Sequence, residues 1–464
     1  MSIQPLITND AVIFGLLMII LAGIVTTAAS KNKYWQRFYI FFPALLLCYF
    51  IPAFLHWPLG LIAPTWYDLG ALSSYLKENY FATFPSDVDW KTLHAFIVEH
   101  KITTEELSAF EQNSSLYFVA SRYLLPASLI LLTLSIDLKA LKSLGLKPLL
   151  IFLTGSAGVI IGGPIAIIIV QTIAPGLIRI DSQDLWKGLS TMAGSWIGGG
   201  ANQTAMKEIY QVADNLFATI VVVDVLIANI WMGFLLYGAG ITKKIDKWLK
   251  ADNTAIEQLL EKVKDYRASI ERIPQTKDLM LLTGIVFGGV GLSHFGADVL
   301  SVFMGQFETA LIKIGLNTVM EHFFWLVVIA TTFGLWLSFT KMRKLEGIGA
   351  SRWATVFIYM LVATIGMKMN ISEIWQNIGL VLIALIWILI HALLMLIVSK
   401  LTRSPFFFMA VGSTANVGGA ASAPIVATAF NPALAPVGVL LAVLGYAIGT
   451  YGGIIAALLM QWVS

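Results

Sequence analysis

An all-α polytopic membrane protein is the fold class this sequence predicts, and three observations predict it. The chain of 464 residues is 58% hydrophobic and only 12% charged, with a mean hydropathy of +0.80. A soluble domain carries about 25% charged residues, so too little polar surface is left to face water on all sides. Apolar stretches of spanning length, about 20 residues each, recur along the chain. Two of these stretches are interrupted by the same mixture of glycine, serine and asparagine, at 193–204 and 411–424.

Taken in order, the apolar stretches fall at 12–29, 38–54, 116–136, 149–174, 217–237, 279–293, 323–339, 353–367, 378–398 and 437–463. The interrupted segments are broken helices at 185–211 and 405–430, and together they make about twelve membrane elements. No Lys or Arg precedes the first stretch, which reads as a retained helix and not a cleaved signal. The segment 298–316 is amphipathic through Gln306, Glu308 and Lys313 and fits a surface helix as well as a span. The organisation expected is N-terminal helices over 1–57, an extramembrane loop over 58–114, a first repeat over 115–241, a second loop over 242–277 and a second repeat over 278–464.

Basic residues in short loops orient the chain. Lys31, Lys33 and Arg37, then Lys139, Lys142 and Lys147, then Lys341, Arg343, Lys344 and Arg352, then Lys400 with Arg403 form four clusters. Placing all four in the cytoplasm puts the N-terminus outside and the C-terminus inside. Counting spans then puts 242–277 outside, although its start carries Lys243, Lys244, Lys247 and Lys250, and requires 298–316 to cross. Thr103 with Glu106 is a capping-box pattern that opens a short helix, and 255–273 has helical apolar spacing.

The polar segments align through Gly194-Ser195 and Gly412-Ser413, and after a one-residue shift Gly199 meets Gly418. The residues 132–138 and 363–369 before them align too. With the orientation above, the halves are inverted repeats about an in-plane axis. Unpaired backbone groups cannot stay in hydrocarbon, so a helix broken there must face protein, water or a ligand. Glycine permits the turn, half-helix N-termini offer N–H groups to anions, and Ser195, Gly199, Asn202, Gln203, Thr204, Ser413, Thr414, Asn416 and Ser422 of the two broken segments are the candidate site for a solute or Na⁺.

The segments 194–204 and 412–424, and the chain as a whole, resemble the YjcL-like family of uncharacterised integral membrane proteins. That family is grouped with the cation/proton antiporter and anion transporter superfamily, which includes glutamate–sodium and bile-acid–sodium symporters. The resemblance implies two inverted repeats whose broken helices cross at the bilayer midplane, and a core domain sliding against a panel. It carries over no ligand.

Asp224 lies within an apolar run, where a carboxylate by default marks a functional site. It is expected to bind a coupling cation or carry a proton; the alternative is a structural carboxylate that caps N–H groups of the broken helix. Asn229 is expected to share part of its face. Asp137 and Lys368 end their helices, and His391 is an interior histidine with hydrogen-bond partners. Gly162-Gly163-Pro164 marks close packing, and the GxxxG pair Gly445 and Gly449 packs against the second broken helix.

No G-x-x-x-x-G-K-[ST], HExxH or GxSxG motif is present, which argues against an ATP-driven pump and a membrane-embedded enzyme. The single cysteine, Cys48, allows no intrachain disulfide or cysteine metal cluster. The expected function is a secondary active transporter moving a small polar or anionic solute coupled to Na⁺ or H⁺ by alternating access. The alternative is a cation/proton antiporter without organic substrate. The partners are the solute, the coupling cation and the lipid bilayer, with no nucleic acid; a bound Na⁺ is the candidate ion, other cofactors are not expected, and a homodimer is a candidate assembly. The expected location is the cell membrane, or the inner membrane of a Gram-negative source.

Overall fold

The computed structural model describes residues 4–464 apart from 43, 80–89, 101, 138–140, 143, 253–255, 257–273, 314–315, 370–377 and 432–433. The expected helix at 255–273 therefore lies outside the described residues, save Ile256. Among them the chain is helical except for one two-stranded pairing. Among the described residues seven helices are long and apolar enough to cross a membrane, or up to nine if each of two bent pairs is one span. This is an all-α, multi-pass membrane protein. The chain forms two compact units, residues 1–120 with 360–371, and residues 121–359 with 372–464.

In the first unit, α1 (Asp10–Ala28) begins at Asn9, whose side chain accepts from the N–H groups of Ala11 and Val12. After α2 (Lys33–Phe41) and α3 (Ala44–His56) the chain leaves the apolar region. There β1 (Thr65–Tyr67) pairs antiparallel with β2 (Glu111–Asn113) around the short helices α4 (Leu69–Asn79), α5 (Trp90–Glu99) and α6 (Thr104–Ser108). Leu72, Leu76, Leu93, Phe96 and Ile97 pack against Tyr67 as a small core of their own. Thr103 is the N-cap of α6, with one of the two bonds of a capping box: its Oγ1 accepts from Glu106 N–H at 3.3 Å, and Glu106 Oε1 accepts from the Thr103 hydroxyl at 2.9 Å. Lys368 sits 4.1 Å above the Tyr117 ring.

The second unit begins within α7 (Leu116–Leu134), which has a π-helical turn at Ala120–Leu124. It continues with α8 (Leu146–Ile173), α9 (Ser182–Ile209), α10 (Asp214–Gly240), α11 (Thr242–Leu249), α12 (Thr276–Gly305), α13 (Glu308–Lys313) and α14 (His322–Ser338). Then follow a 3₁₀ segment (Lys341–Ile348), α15 (Ala350–Gly366), α16 (Ile378–Leu401), α17 (Phe406–Val417), α18 (Gly419–Phe430) and α19 (Ala435–Val463). Helix α12 runs on to Gly305, so 298–316 is not a separate crossing element. Asp137 pairs with Arg343 at 3.0 Å. On α8, Gly155, Gly158, Gly162 and Gly163 admit His391 and Trp387 of α16 at van der Waals distance, so the glycine tract there serves packing.

The interrupted segments depart from expectation in one respect that changes the topology. Each is broken, but neither crosses. A straight helix would hold Trp186 and Tyr210 about 36 Å apart, yet their ring centroids are 5.2 Å apart. The Phe430 ring likewise lies 5.4 Å from Phe407 and 6.0 Å from Phe406. Helix α9, and α17 with α18, are hairpins that return to the level where they entered. The reversals occur at glycines with left-handed backbone, Gly199 (φ 73°) and Gly419 (φ 62°), one residue beyond the Gly199–Gly418 match. Only glycine adopts this conformation without steric cost.

The hairpin mouths lie at opposite ends of α10. Its N-terminal Asp214 pairs with Lys207 of the first hairpin at 2.9 Å. Near its C-terminus, Gly238 lies against the Phe406 ring of the second, and Asp246 of α11 accepts from Phe406 N–H at 2.8 Å. A helix of 27 residues is about 40 Å long, more than the thickness of a hydrocarbon core. Further contacts correct the placement of the start of 242–277. Asp252 pairs with Lys147 at 3.1 Å and bonds Arg403 O through its N–H at 3.0 Å, and Lys400 donates to Trp248 O. The start of that loop therefore shares an end with two of the basic clusters. Helix α19 starts beside the second mouth, at Asn431–Leu434, and runs to the level of the first, so its C-terminal end lies opposite those clusters.

A further correction concerns Gly445 and Gly449. They pack chiefly on the first hairpin, not the second: a Cβ at Gly449 would stand 2.5 Å from Gly198 Cα, and one at Gly445 2.6 Å from Ile197 O. Two backbones meet there because neither Gly198 nor Gly449 carries a side chain. Gly438 makes the corresponding approach to Ala423 of the second hairpin.

Candidate functional site

The turn at Gly199 brings Ser195 and Trp196 of one arm and Gln203 of the other over α10. Asp224 receives all three. Ser195 Oγ donates to Oδ2 at 2.6 Å, Gln203 Nε2 to Oδ2 at 3.0 Å and Trp196 Nε1 to Oδ1 at 2.6 Å. The carboxylate is 6% exposed. An ionised carboxylate only accepts, so three donors serve its charged form. The partners are side chains, not the backbone N–H groups expected of a cap. Asp224 thus ties both arms of the first hairpin to α10.

Asn202 faces α19 from the same tip. Its Nδ2 donates to Gly198 O and Tyr446 O, each at 3.0 Å, and its Oδ1 accepts from Thr450 Oγ1 at 2.6 Å. Thr331 of α14 meets Thr450 at 3.2 Å. Thr204 Oγ1 donates to Gly200 O at 2.8 Å, within its own arm.

In the second hairpin, Ser413 occupies the position matched to Ser195 and again reaches α10. Its Oγ accepts from Trp231 Nε1 at 2.8 Å and meets His391 Nε2 at 2.8 Å. His391 Nδ1 meets Gly155 O at 2.9 Å. A carbonyl only accepts, so Nδ1 carries the hydrogen and, in the neutral ring, Nε2 accepts from Ser413. Asn416 Nδ2 donates to Phe152 O and Gly412 O at 3.0 Å, and Ser156 Oγ donates to Asn416 Oδ1 at 2.7 Å. Asn202 and Asn416 therefore clasp their hairpins to α19 and α8 respectively.

Among the described residues, two cavities lie against the tip of the second hairpin. The smaller, about 30 Å³, is lined by Asn229 and Trp231 of α10 and by Thr414, Gly418 and Ser422 of the second hairpin. It has room for one water or one small ion. Asn229 thus looks to the second hairpin and does not share the Asp224 cluster. Asp224 lines neither cavity.

The larger is a cleft of about 540 Å³, bounded by Leu132 of α7 and Ser135 just past its end, by Glu346, Ser351 and Arg352, and by the N-terminal half of α19. Its lining includes Ala420, next to the Gly419 turn, and Tyr446. A Cβ built on Gly199 would be 3.5 Å from the Tyr446 ring. The cleft therefore reaches the tip of the second hairpin, and Tyr446 stands between it and the Gly199 turn of the first.

Of the sequence-derived candidates, Ser195, Gln203 and Asp224 come together, as do Thr414 and Ser422. Ser413, Asn202, Asn416 and Thr204 each serve separate contacts. Sequence reasoning passed over Trp231, Tyr446, Thr450 and Ser156, and read Arg352 only as a loop base. Glu346 carried a usable signal: an acid between Lys344 and Arg352, flanked by Gly347 and Gly349.

The family model described as "Protein of unknown function (DUF819)" matches residues 88–463, which include both hairpins and every residue of the two cavities. The uncharacterized membrane protein YjcL of Bacillus subtilis (strain 168) is 25% identical over 350 residues, 73% of this chain and 82% of that protein.

Proposed function

Because the chain belongs to the DUF819 family, whose function is unknown, its activity has to be read from its own geometry, and we propose that it is a secondary active transporter. It moves a small polar or anionic solute, coupled to Na⁺ or H⁺, by alternating access across the cell membrane. The observation that carries this reading is the pair of hairpins. They enter from opposite ends of α10, and one cleft reaches the second tip and the Tyr446 ring that packs on the first.

In this reading α8–α9–α10 and α16–α17/α18–α19 are inverted repeats, each a helix, a re-entrant hairpin and a helix. Reversed backbone at membrane depth is tolerated where it is buried in protein or lines a cavity, which describes both tips. The basic clusters at the second mouth mark the cytoplasmic side, and the cleft opens there. Its volume suits an organic solute better than a bare ion, which favours a carrier over the antiporter alternative. The oxygens of Thr414, Ser422 and Asn229 around the small cavity are the donors offered to Na⁺. The chain acts as a carrier and not as an enzyme.

The test is access. In a Cys48→Ser background, Ala420→Cys is labelled with impermeant maleimide from each side of sealed proteoliposomes. Labelling from the cytoplasmic side that gives way to labelling from the other side as gradients change supports alternating access. Reactivity from one side under every gradient refutes it.

A further inference from the structure

The geometry points to a binding site for an anionic phospholipid beside the mouth of the second hairpin, with the phosphate at Lys244 and Lys400 and an acyl chain in the groove they border. The site is separate from the cleft, and it holds whatever the chain carries. The groove, of about 390 Å³, lies between α11 and the junction of α16 with α17, and is lined by Lys244, Ile245, Trp248, Leu396 and Phe406. Its walls are hydrocarbon and aromatic except for the lysine head and the indole N–H.

Helix α11 is two-sided, as a helix lying at a membrane boundary must be. Leu249 is fully buried, and Ile245 and Trp248 stand near it on the same side, while Lys243 and Lys247 occupy the other. Lys244 falls between the two sides, one turn before Trp248. Its aliphatic stem can follow the groove while its ammonium stays at the rim. Trp248 is exposed yet held: Lys400 Nζ lies 4.1 Å above its ring and donates to Trp248 O. Two ammonium groups therefore border one indole at the edge of an apolar groove.

Charge selects the headgroup. Among the described residues neither Lys244 nor Lys400 has an ion-pair partner. The acids of this end are engaged elsewhere. Asp246 accepts from Phe406 N–H at 2.8 Å, and Asp252 pairs with Lys147 at 3.1 Å. Lys400 uses one of its three donors on Trp248 O, so two remain for phosphate oxygens, and Lys244 can give all three. A zwitterionic headgroup would bring its own cation into the same field and gain less. A free phosphate would leave the groove empty.

The surroundings fit the chain of such a lipid. Leu393, Ile397 and Leu401 of α16 are exposed and continue the groove along that helix into the bilayer. The groove's inner wall is Phe406, the first residue of α17, whose ring also lies against Gly238 of α10. A seated lipid thus braces the point where the second hairpin enters.

The experiment uses the full chain in neutral detergent, with the melting temperature as readout. The probes are dioleoyl-phosphatidylglycerol, dioleoyl-phosphatidylcholine and glycerol phosphate. The expected result is saturable stabilisation by phosphatidylglycerol at concentrations about tenfold or more below any effect of phosphatidylcholine, since each lysine contributes about fivefold towards an anionic lipid. Glycerol phosphate should do nothing. Lys244→Gln, at an exposed position, should leave the melting temperature of the lipid-free protein unchanged and weaken the phosphatidylglycerol response about fivefold. Lys243→Gln removes the same charge from the far side of α11, where salt screens it from the groove, and should change the response less than about twofold.

An equal response to phosphatidylcholine marks a groove for any lipid and overturns the inference. Stabilisation by glycerol phosphate marks a bare anion site and overturns it too. So do equal losses in Lys243→Gln and Lys244→Gln, which mean unspecific attraction, or no response to any probe.

Discussion

Replacing Asp224 separates two accounts of a carboxylate buried in an apolar helix. Its oxygens accept from Ser195, Trp196 and Gln203 at 2.6, 2.6 and 3.0 Å. In Asp224→Asn the single amide oxygen can keep Trp196. The new NH₂ then faces Ser195 and Gln203, both of which can turn to accept: the hydroxyl by rotation, the Gln amide by flipping. The contacts survive as neutral bonds, each weaker than a charge-assisted one by about 1 kcal/mol, for a loss on the order of 3 kcal/mol at most. Asp224→Ala removes the acceptor altogether and leaves buried donors unpaired at about 1–3 kcal/mol each.

A staple therefore predicts a graded series: a modest drop in thermal stability for Asn, a larger one for Ala, and ion-dependent solute uptake retained in the Asn protein after correction for its amount in the membrane. A cation ligand or proton carrier predicts otherwise, because the amide cannot lose a proton or supply the charge. Uptake would then be uncoupled from the ion in Asp224→Asn. The assay is uptake into proteoliposomes with and without the Na⁺ or proton gradient, beside a melting curve of the same preparation. Loss of coupling at near wild-type stability would refute the staple.

The other predictions concern geometry. In a Cys48→Ser background, Trp186→Cys with Tyr210→Cys should be joined by a short bifunctional maleimide, giving a shifted band; a continuous helix would leave the pair unjoined. Gly449→Val should destabilise by about 3 kcal/mol or more, since its Cβ would stand 2.5 Å from Gly198 Cα and backbone cannot swing aside. Gly291→Ala, with nothing within 4 Å of the added atom, should change stability by less than about 1 kcal/mol and serves as the control. Trp231→Phe removes the donor to Ser413 and should cost about 1 kcal/mol in melting experiments while the fold persists.

The two interruptions were legible because glycine at Gly199 and Gly419 is the backbone's requirement, and a requirement leaves its mark on the sequence. The reversal was not. A left-handed residue permits a sharp turn without stating its angle, and an apolar segment of 24 residues can cross or double back. The trace of the answer was electrostatic. Lys243, Lys244, Lys247 and Lys250 fall on the outer face only if the first hairpin is counted as a crossing, and the charge conflict is the mark of that miscount.

At the site, Asn202 and Asn416 drew attention as polar atoms in an apolar setting. The side chain that clasps two helices is chemically the same as one that meets a ligand, so composition could not separate them. Glu346 and Arg352 were hidden for the opposite reason. In a basic loop their charges look like topology, and only the fold reveals that they line a cleft.

Helix α10 holds the first hairpin through Asp224 and the second through Trp231, seven residues further on. Seven residues are almost two full turns, so both ties lie on one side of the rod, about 10 Å apart. One rigid bar thus gauges the spacing between tips that approach from opposing directions. In the carrier proposed above, such a calliper would keep the two tips at a fixed gap, so they would travel together as one jaw and selectivity would be decided at loading and not by squeezing midway.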